Sequence, residues 1–232
     1  MRIKDGLFLM VLSFIIGYVV VESKPAVRDP LAWGELPQVD TIKQDTIKQD
    51  TVISVKGKKA LFIGDSHSAA DFGWQYQLCK KTGMAINNTA VGGKQTSWMV
   101  GVAKLNLTSG YDYCFIYGGA NDMASNRAPM KSVKNVQAIV NMCLEKQVIP
   151  IVITGFDPLT CINVSNREAY KGYPQRYAKF QQLLIDSIVG AKVAKSHCIL
   201  KSDCGDFLCH MTAGGHKKMA EFMILACRFK KI

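Results

Sequence analysis

Neither a Cys-x-x-Cys nor a His-x-x-x-His spacing occurs in the 232 residues. The tight ligand pairs of structural zinc sites are therefore missing, and the loose group Cys204, Cys209, His210 and His216 is the weaker, zinc-supported reading of that region. Nor does any stretch interleave basic residues with aromatics, although Lys and Arg outnumber Asp and Glu by 29 to 18 and leave a formal net charge of +11. The positive charge is scattered, and runs such as Lys217-Lys218 and Lys230-Lys231 stop at doublets. A general attraction to anionic surfaces and polymers follows, but not specific nucleic-acid recognition. Long internal repeats are absent too. The one direct repeat, Thr41-Ile-Lys-Gln-Asp45 followed by Thr46-Ile-Lys-Gln-Asp50, has a period that fits neither helix nor strand and too few copies for a solenoid.

What is present begins with Arg2 and Lys4 ahead of a nearly unbroken apolar stretch from Gly6 to Val21. Residues 1–23 read as a signal peptide or an N-terminal membrane anchor, since the length lies between a cleavable apolar region and a full span. Val21-Glu22-Ser23 is a poor cleavage site, which favours the anchor. Residues 24–56 carry Pro25, Pro30, Pro37, many charges and the repeat, and read as a flexible tether. The expected location is membrane-anchored with the remaining domain outside the cytoplasm, or secreted.

Residues 57–232 are long enough for one domain with a sizeable core. Apolar β-like runs alternate with amphipathic helical stretches, which predicts a parallel sheet covered on both faces. Strands are expected at Ala60–Ile63, Met84–Ala90, Tyr113–Tyr117, Val148–Thr154 and, more weakly, Val193–Leu200. Helical spacing marks Val133, Val136, Val140 and Cys143, then Tyr177, Phe180, Leu184 and Ile188, then Met219, Phe222, Met223, Ala226 and Cys227. Cys114, Cys143 and Cys227 fall on these apolar positions and read as small core residues. Cys198, Cys204 and Cys209 lie close together in the chain, and one pair among them is plausible in an oxidising compartment, with connectivity open.

In such folds ligands gather at the carboxyl ends of the strands, and four segments there carry chemistry. Gly64-Asp65-Ser66-His67-Ser68 follows the first strand and places a serine hydroxyl at a strand-to-helix turn, where a nucleophile is well exposed and helix N–H groups are near. Asp65 reads as a support of that turn. Gly92-Gly93 after the second strand lets backbone N–H groups approach a reacting oxygen. Asn121, in Gly118-Gly119-Ala120-Asn121-Asp122 after the third strand, offers a side-chain amide as donor. His210 stands just before the last helix, with Thr212 able to cap it.

Together these blocks resemble the SGNH (GDSL-like) hydrolase family over essentially all of 57–232. The resemblance implies an α/β fold, a flavodoxin-like three-layer α/β/α sandwich with a parallel sheet. It also implies Ser66 as nucleophile, His210 as general base, and an oxyanion hole from the Ser66 N–H, the Gly93 N–H and the Asn121 amide. The family's Asp lies three residues before its His, where this chain has Phe207; Asp206 lies four before. The imidazole is then oriented by Asp206 from a loop one residue longer, by a backbone carbonyl, or by Asp203. The implied function is a serine esterase working through an acyl-serine intermediate with no metal or cofactor. Its expected substrate is a small-molecule or glycan ester, above all O-acetyl groups on carbohydrate or cell-envelope glycans, because no lid or extended apolar loop awaits a lipid chain. Two other readings keep the fold: a catalytically retired carbohydrate-binding or adhesion module, and an O-acyltransferase.

Overall fold

A computed structural model describes residues 51–196 and 198–232. The signal or anchor segment 1–23 and the repeat-bearing part of the tether lie outside the described residues. Among the described residues no helix is long and apolar enough to cross a membrane.

The sheet is built on β1 (Lys59–Gly64) and β3 (Tyr113–Tyr117). Both are continuous apolar runs, buried along almost their whole length, as strands covered on two faces must be. They pair in parallel from Ala60 opposite Tyr113 to Gly64 opposite Tyr117. β2 (Ala85–Asn88) flanks β1, while β4 (Ile149–Ile153) and β5 (Lys192–Ala194) continue beyond β3, giving the order β2-β1-β3-β4-β5, all parallel. The chain reverses its direction of travel across the sheet between β1 and β3, so right-handed crossovers place helices on both faces and open a crevice at the carboxyl ends of these two strands.

The helices are α1 (Ser66–Ala69), α2 (Trp74–Thr82), α3 (Thr96–Asn106), α4 (Ala120–Ala124), α5 (Pro129–Glu145), α6 (Pro158–Cys161), α7 (Tyr173–Ser187) and α8 (Ala213–Cys227). α2 packs on α8, and α5 packs between α3 and α7. Val133, Val136, Val140 and Cys143 of α5 are buried, as are Tyr177, Phe180 and Leu184 of α7 and Met219, Met223 and Cys227 of α8. The three-layer sandwich is therefore as expected, and Cys114, Cys143 and Cys227 are core residues.

β2 and β4 are trimmed by one or two residues at each end of the expected Met84–Ala90 and Val148–Thr154, and three further boundaries differ from the sequence reading. β5 ends at Ala194 instead of Leu200, because its neighbour β4 stops at Ile153 and the last ladder bond is Thr154 N to the Ala194 carbonyl at 3.1 Å. Ile188 lies just beyond α7, as its C-cap. The packed body also reaches back into the stretch read as tether: Ile53 exchanges backbone hydrogen bonds with Arg228 (2.7 Å) and Lys230 (2.8 Å), and Val55 is fully buried.

Candidate active site

Gly64 ends β1 where the chain must pass close to β3. A Cβ there would lie 2.5 Å from the Tyr117 carbonyl, so only glycine fits. The next N–H, of Asp65, donates to that same carbonyl at 3.2 Å. Asp65 then caps α1, its Oδ1 accepting the His67 N–H at 3.1 Å. This turn delivers Ser66 to the crevice.

The Ser66 hydroxyl donates to Nε2 of His210 at 2.8 Å. Nδ1 of the same ring donates to Oδ2 of Asp206 at 2.5 Å. The other oxygen of Asp206 accepts the backbone N–H groups of Leu208 and His210, both at 3.0 Å. Burial opposes the ionisation of Asp206, but the His210 ring bond and the two backbone donors outweigh it and hold the carboxyl below its ordinary range. The loop one residue longer is closed by a Cys204–Cys209 disulfide, by Gly205 N donating to the His210 carbonyl at 2.7 Å, and by an antiparallel bridge between Cys204 and Met211. Asp203 is not the orienting group: it accepts from Lys218 Nζ at 2.8 Å and from Leu200 N at 2.9 Å. The Thr212 side chain caps α8 by accepting the Gly215 N–H at 3.2 Å.

The side chains of His210 and Asp206 are 42% and 38% exposed, so a substrate can reach them without a lid opening. Gly93 adopts φ +74 with open space on its Cβ side, a left-handed conformation natural to glycine. Its neighbour Gly92 faces the serine, a Cβ there lying 3.7 Å from that of Ser66. Asn121, in the first turn of α4, donates one amide proton to the Lys94 carbonyl at 3.1 Å and keeps the other.

Two features escaped the sequence reading. The first is a buried network under the glycine loop. Asp122 accepts from Thr96 N (2.8 Å), Thr96 Oγ1 (2.7 Å) and Ser132 Oγ (2.9 Å), and Asn135 in turn donates to Thr96 Oγ1 (2.9 Å). It pins the start of α3 to α4 and thereby sets Lys94 against Asn121. The signal was the carboxylate of Asp122, directly after Asn121 at the end of the third strand. The second is His67, 2% exposed, stacked on Tyr117 at 5.4 Å, edge-on to Phe156 at 5.3 Å, and 5.4 Å from the His210 ring, all between centroids. Burial pushes His67 down to about 3 and the Asp65 carboxyl up to about 7. Neither His67 Nδ1 nor Asp65 Oδ2 has a hydrogen-bond partner.

The group Cys204, Cys209, His210 and His216 is not a ligand set. The two cysteines are bonded to each other, His210 is held by Ser66 and Asp206, and Nδ1 of His216 accepts the Trp74 N–H at 3.2 Å.

No family model and no curated protein matches the sequence. Solved structures do match the fold. A protein assigned to the G-D-S-L lipolytic family from Desulfitobacterium hafniense DCB-2 superposes with a TM-score of 0.59 at 12% identity, over 73% of this chain and 99% of its own. The psychrotrophic esterase EstA from Pseudoalteromonas sp. gives 0.56 at 13%, over 74% and 97%. Axe2, an acetylxylan esterase from Geobacillus stearothermophilus, gives 0.59 at 13%, over 77% and 98%. At these identities the likeness is one of fold: this chain has the SGNH-like hydrolase fold.

Proposed function

We propose that the chain is a serine carboxylic-ester hydrolase acting through an acyl-Ser66 intermediate. The observation that carries this is the unbroken hydrogen-bond chain from Ser66 Oγ through His210 to Asp206 at the open carboxyl edge of the sheet. His210 takes the hydroxyl proton as Ser66 attacks the ester carbon, then gives it to the departing alkoxide. Asp206 keeps Nδ1 protonated, so that Nε2 is the free base, and stabilises the imidazolium that forms. The tetrahedral oxygen is received by the N–H groups of Ser66 and Gly93 and by the free amide proton of Asn121, donors that contribute roughly 3–4 kcal/mol each in comparable sites. Water then repeats the sequence and releases the acid.

The substrate class we favour is the short acyl ester, above all O-acetyl, on glycans. A cavity of about 580 Å³ runs along the segment between α6 and α7, and its lining includes Asn163, Ser165, Asn166, Arg167 and Gln175. These polar groups, set beside Leu159, Ile162 and Val164, suit a sugar, whose hydroxyls and apolar ring face both find partners there. Arg167 of this lining touches the loop that carries Asp206, its guanidinium 3.8 Å from the Phe207 ring, which is also edge-on to Tyr170 at 5.5 Å. Likeness of fold to an acetylxylan esterase agrees with this choice. The apolar N-terminus and the disulfide support a domain held at a membrane outside the cytoplasm, or secreted.

The test is a series of p-nitrophenyl esters of increasing chain length, followed by acetylated glycans, with Ser66→Ala as control. Turnover falling with chain length, release of acetate from glycans, and loss of both in Ser66→Ala are expected. Turnover that persists in Ser66→Ala overturns the assignment, and a preference for long chains overturns the substrate class.

A further inference from the structure

Cys161, the last residue of α6, is buried, and its sulfur lies within 4.8 Å of both sulfurs of the Cys204–Cys209 disulfide. It is a free thiol that donates to the Ile199 carbonyl at 3.6 Å. No other free cysteine among the described residues belongs to this three-sulfur cluster. The disulfide brackets Asp206 and ends immediately before His210. Inside it Cys209 is fully buried at φ +63, a conformation that a non-glycine residue keeps only when its surroundings hold it. The loop that aims Asp206 at His210 is therefore closed covalently, with a third sulfur at the closure.

We propose that Cys161, Cys204 and Cys209 form a thiol–disulfide exchange site, in which a small external thiol moves the bond from Cys204–Cys209, which holds Asp206 on His210, to Cys161–Cys204, which releases it. The chemistry balances without an oxidant. The external thiolate attacks the sulfur of Cys204, a partly buried residue where Cys161 and Cys209 are buried, a mixed disulfide forms there, and Cys209 leaves as a thiolate that takes up a proton. Cys161, giving up its proton, attacks the same Cys204 sulfur and expels the external thiolate. One disulfide replaces another, and the external thiol is returned unchanged. Burial pushes the Cys161 thiol above its ordinary range, which slows its attack on either disulfide. The consequence for activity rests on the esterase reading, because it acts through the Asp206–His210 pair.

The test treats the folded full chain with a monothiol such as glutathione, quenches with acid and maps disulfides by mass spectrometry. A Cys161–Cys204 linkage is expected in the wild type and not in Cys161→Ser, whose untreated activity is expected to match the wild type. As the linkage accumulates, p-nitrophenyl acetate turnover is expected to fall tenfold or more. Asp206→Asn, which lacks the carboxylate already, is expected to lose no further activity. The downfield His210 Nδ1 proton resonance is expected to weaken in step, and this readout is independent of whether any ester is turned over. If untreated wild type hydrolyses no ester while the resonance still responds, the esterase reading fails and the exchange site stands. The proposal is overturned if only Cys204–Cys209 and fully reduced protein are found, if the linkage forms with the resonance unchanged, or if treatment impairs Asp206→Asn as much as the wild type.

Discussion

Asp206 holds His210 twice, its Oδ2 on ring Nδ1 at 2.5 Å and its Oδ1 on the backbone N–H at 3.0 Å. One carboxylate thus sets both the tilt of the imidazole and the path of the chain that carries it. Asp206→Asn keeps an oxygen for the backbone donors but presents an amide to Nδ1 whenever the oxygen faces the other way. Nδ1 and the amide would then both be donors, and the tautomer with Nε2 free is lost. The expected outcome is a fall in kcat of tenfold or more with an unchanged melting temperature, checked by steady-state kinetics beside thermal unfolding. An unaltered kcat would reduce the assembly to a Ser66–His210 pair.

Asn121→Ala tests the oxyanion hole. The Asn121 amide proton not given to Lys94 is expected to act mainly on the tetrahedral species, so kcat falls about 100-fold with little change in KM. A change confined to KM would make Asn121 a substrate-binding residue.

Asp122→Ala removes three hydrogen bonds at a site that is 1% exposed. The Thr96 N–H, the Thr96 hydroxyl and the Ser132 hydroxyl lose their acceptor, and orphaned buried groups cost about 1–3 kcal/mol each. A loss of about 3–5 kcal/mol in urea unfolding is expected, with impaired activity in the molecules that remain folded. A loss below about 1 kcal/mol would show that water takes over as the partner.

The buried pair Asp65 and His67 gives acid behaviour with a definite sign. His67 is held down to about 3, whereas the unfolded chain binds that proton near 6.5, so stability is lost as the pH falls from about 6.5 toward 3. Asp65 is held up to about 7 against an ordinary 3.8, so its contribution is lost in the opposite sense, as the pH rises from about 4 to 7. His67→Leu deletes only the first effect. Its melting temperature is expected to gain on that of the wild type as the pH is lowered from 7 to 4.5. A gap that stays constant with pH would mean that His67 titrates in the folded protein.

Arg167 stands over Phe207 and lines the neighbouring cavity. Arg167→Ala is expected to raise KM for acetylated glycans about three- to tenfold while leaving p-nitrophenyl acetate kinetics unchanged. An equal effect on both substrates would place the residue in the support of the catalytic loop and not in glycan binding.

Much of this molecule is determined locally. The apolar runs of β1 and β3, the helical spacing from Val133 to Cys143 and from Met219 to Cys227, and Ser66 at a strand-to-helix turn are all legible because each depends on neighbours within a few positions. The parallel sheet follows from their alternation. Tertiary structure decided the rest. Asp203 and Asp206 are equally acidic in the sequence, and only the closing of the loop turned one to Lys218 and the other to His210. Of three clustered cysteines, Cys204 and Cys209 bonded because Cys204 pairs across from Met211, while Cys161, far away in the chain, arrived beside them on α6. His67, one residue after the serine, could have faced water; the rings of Tyr117 and Phe156 buried it instead. Periodicity records which way a regular element faces, whereas the partner of a loop side chain is set by segments distant in the chain that packing alone brings within reach.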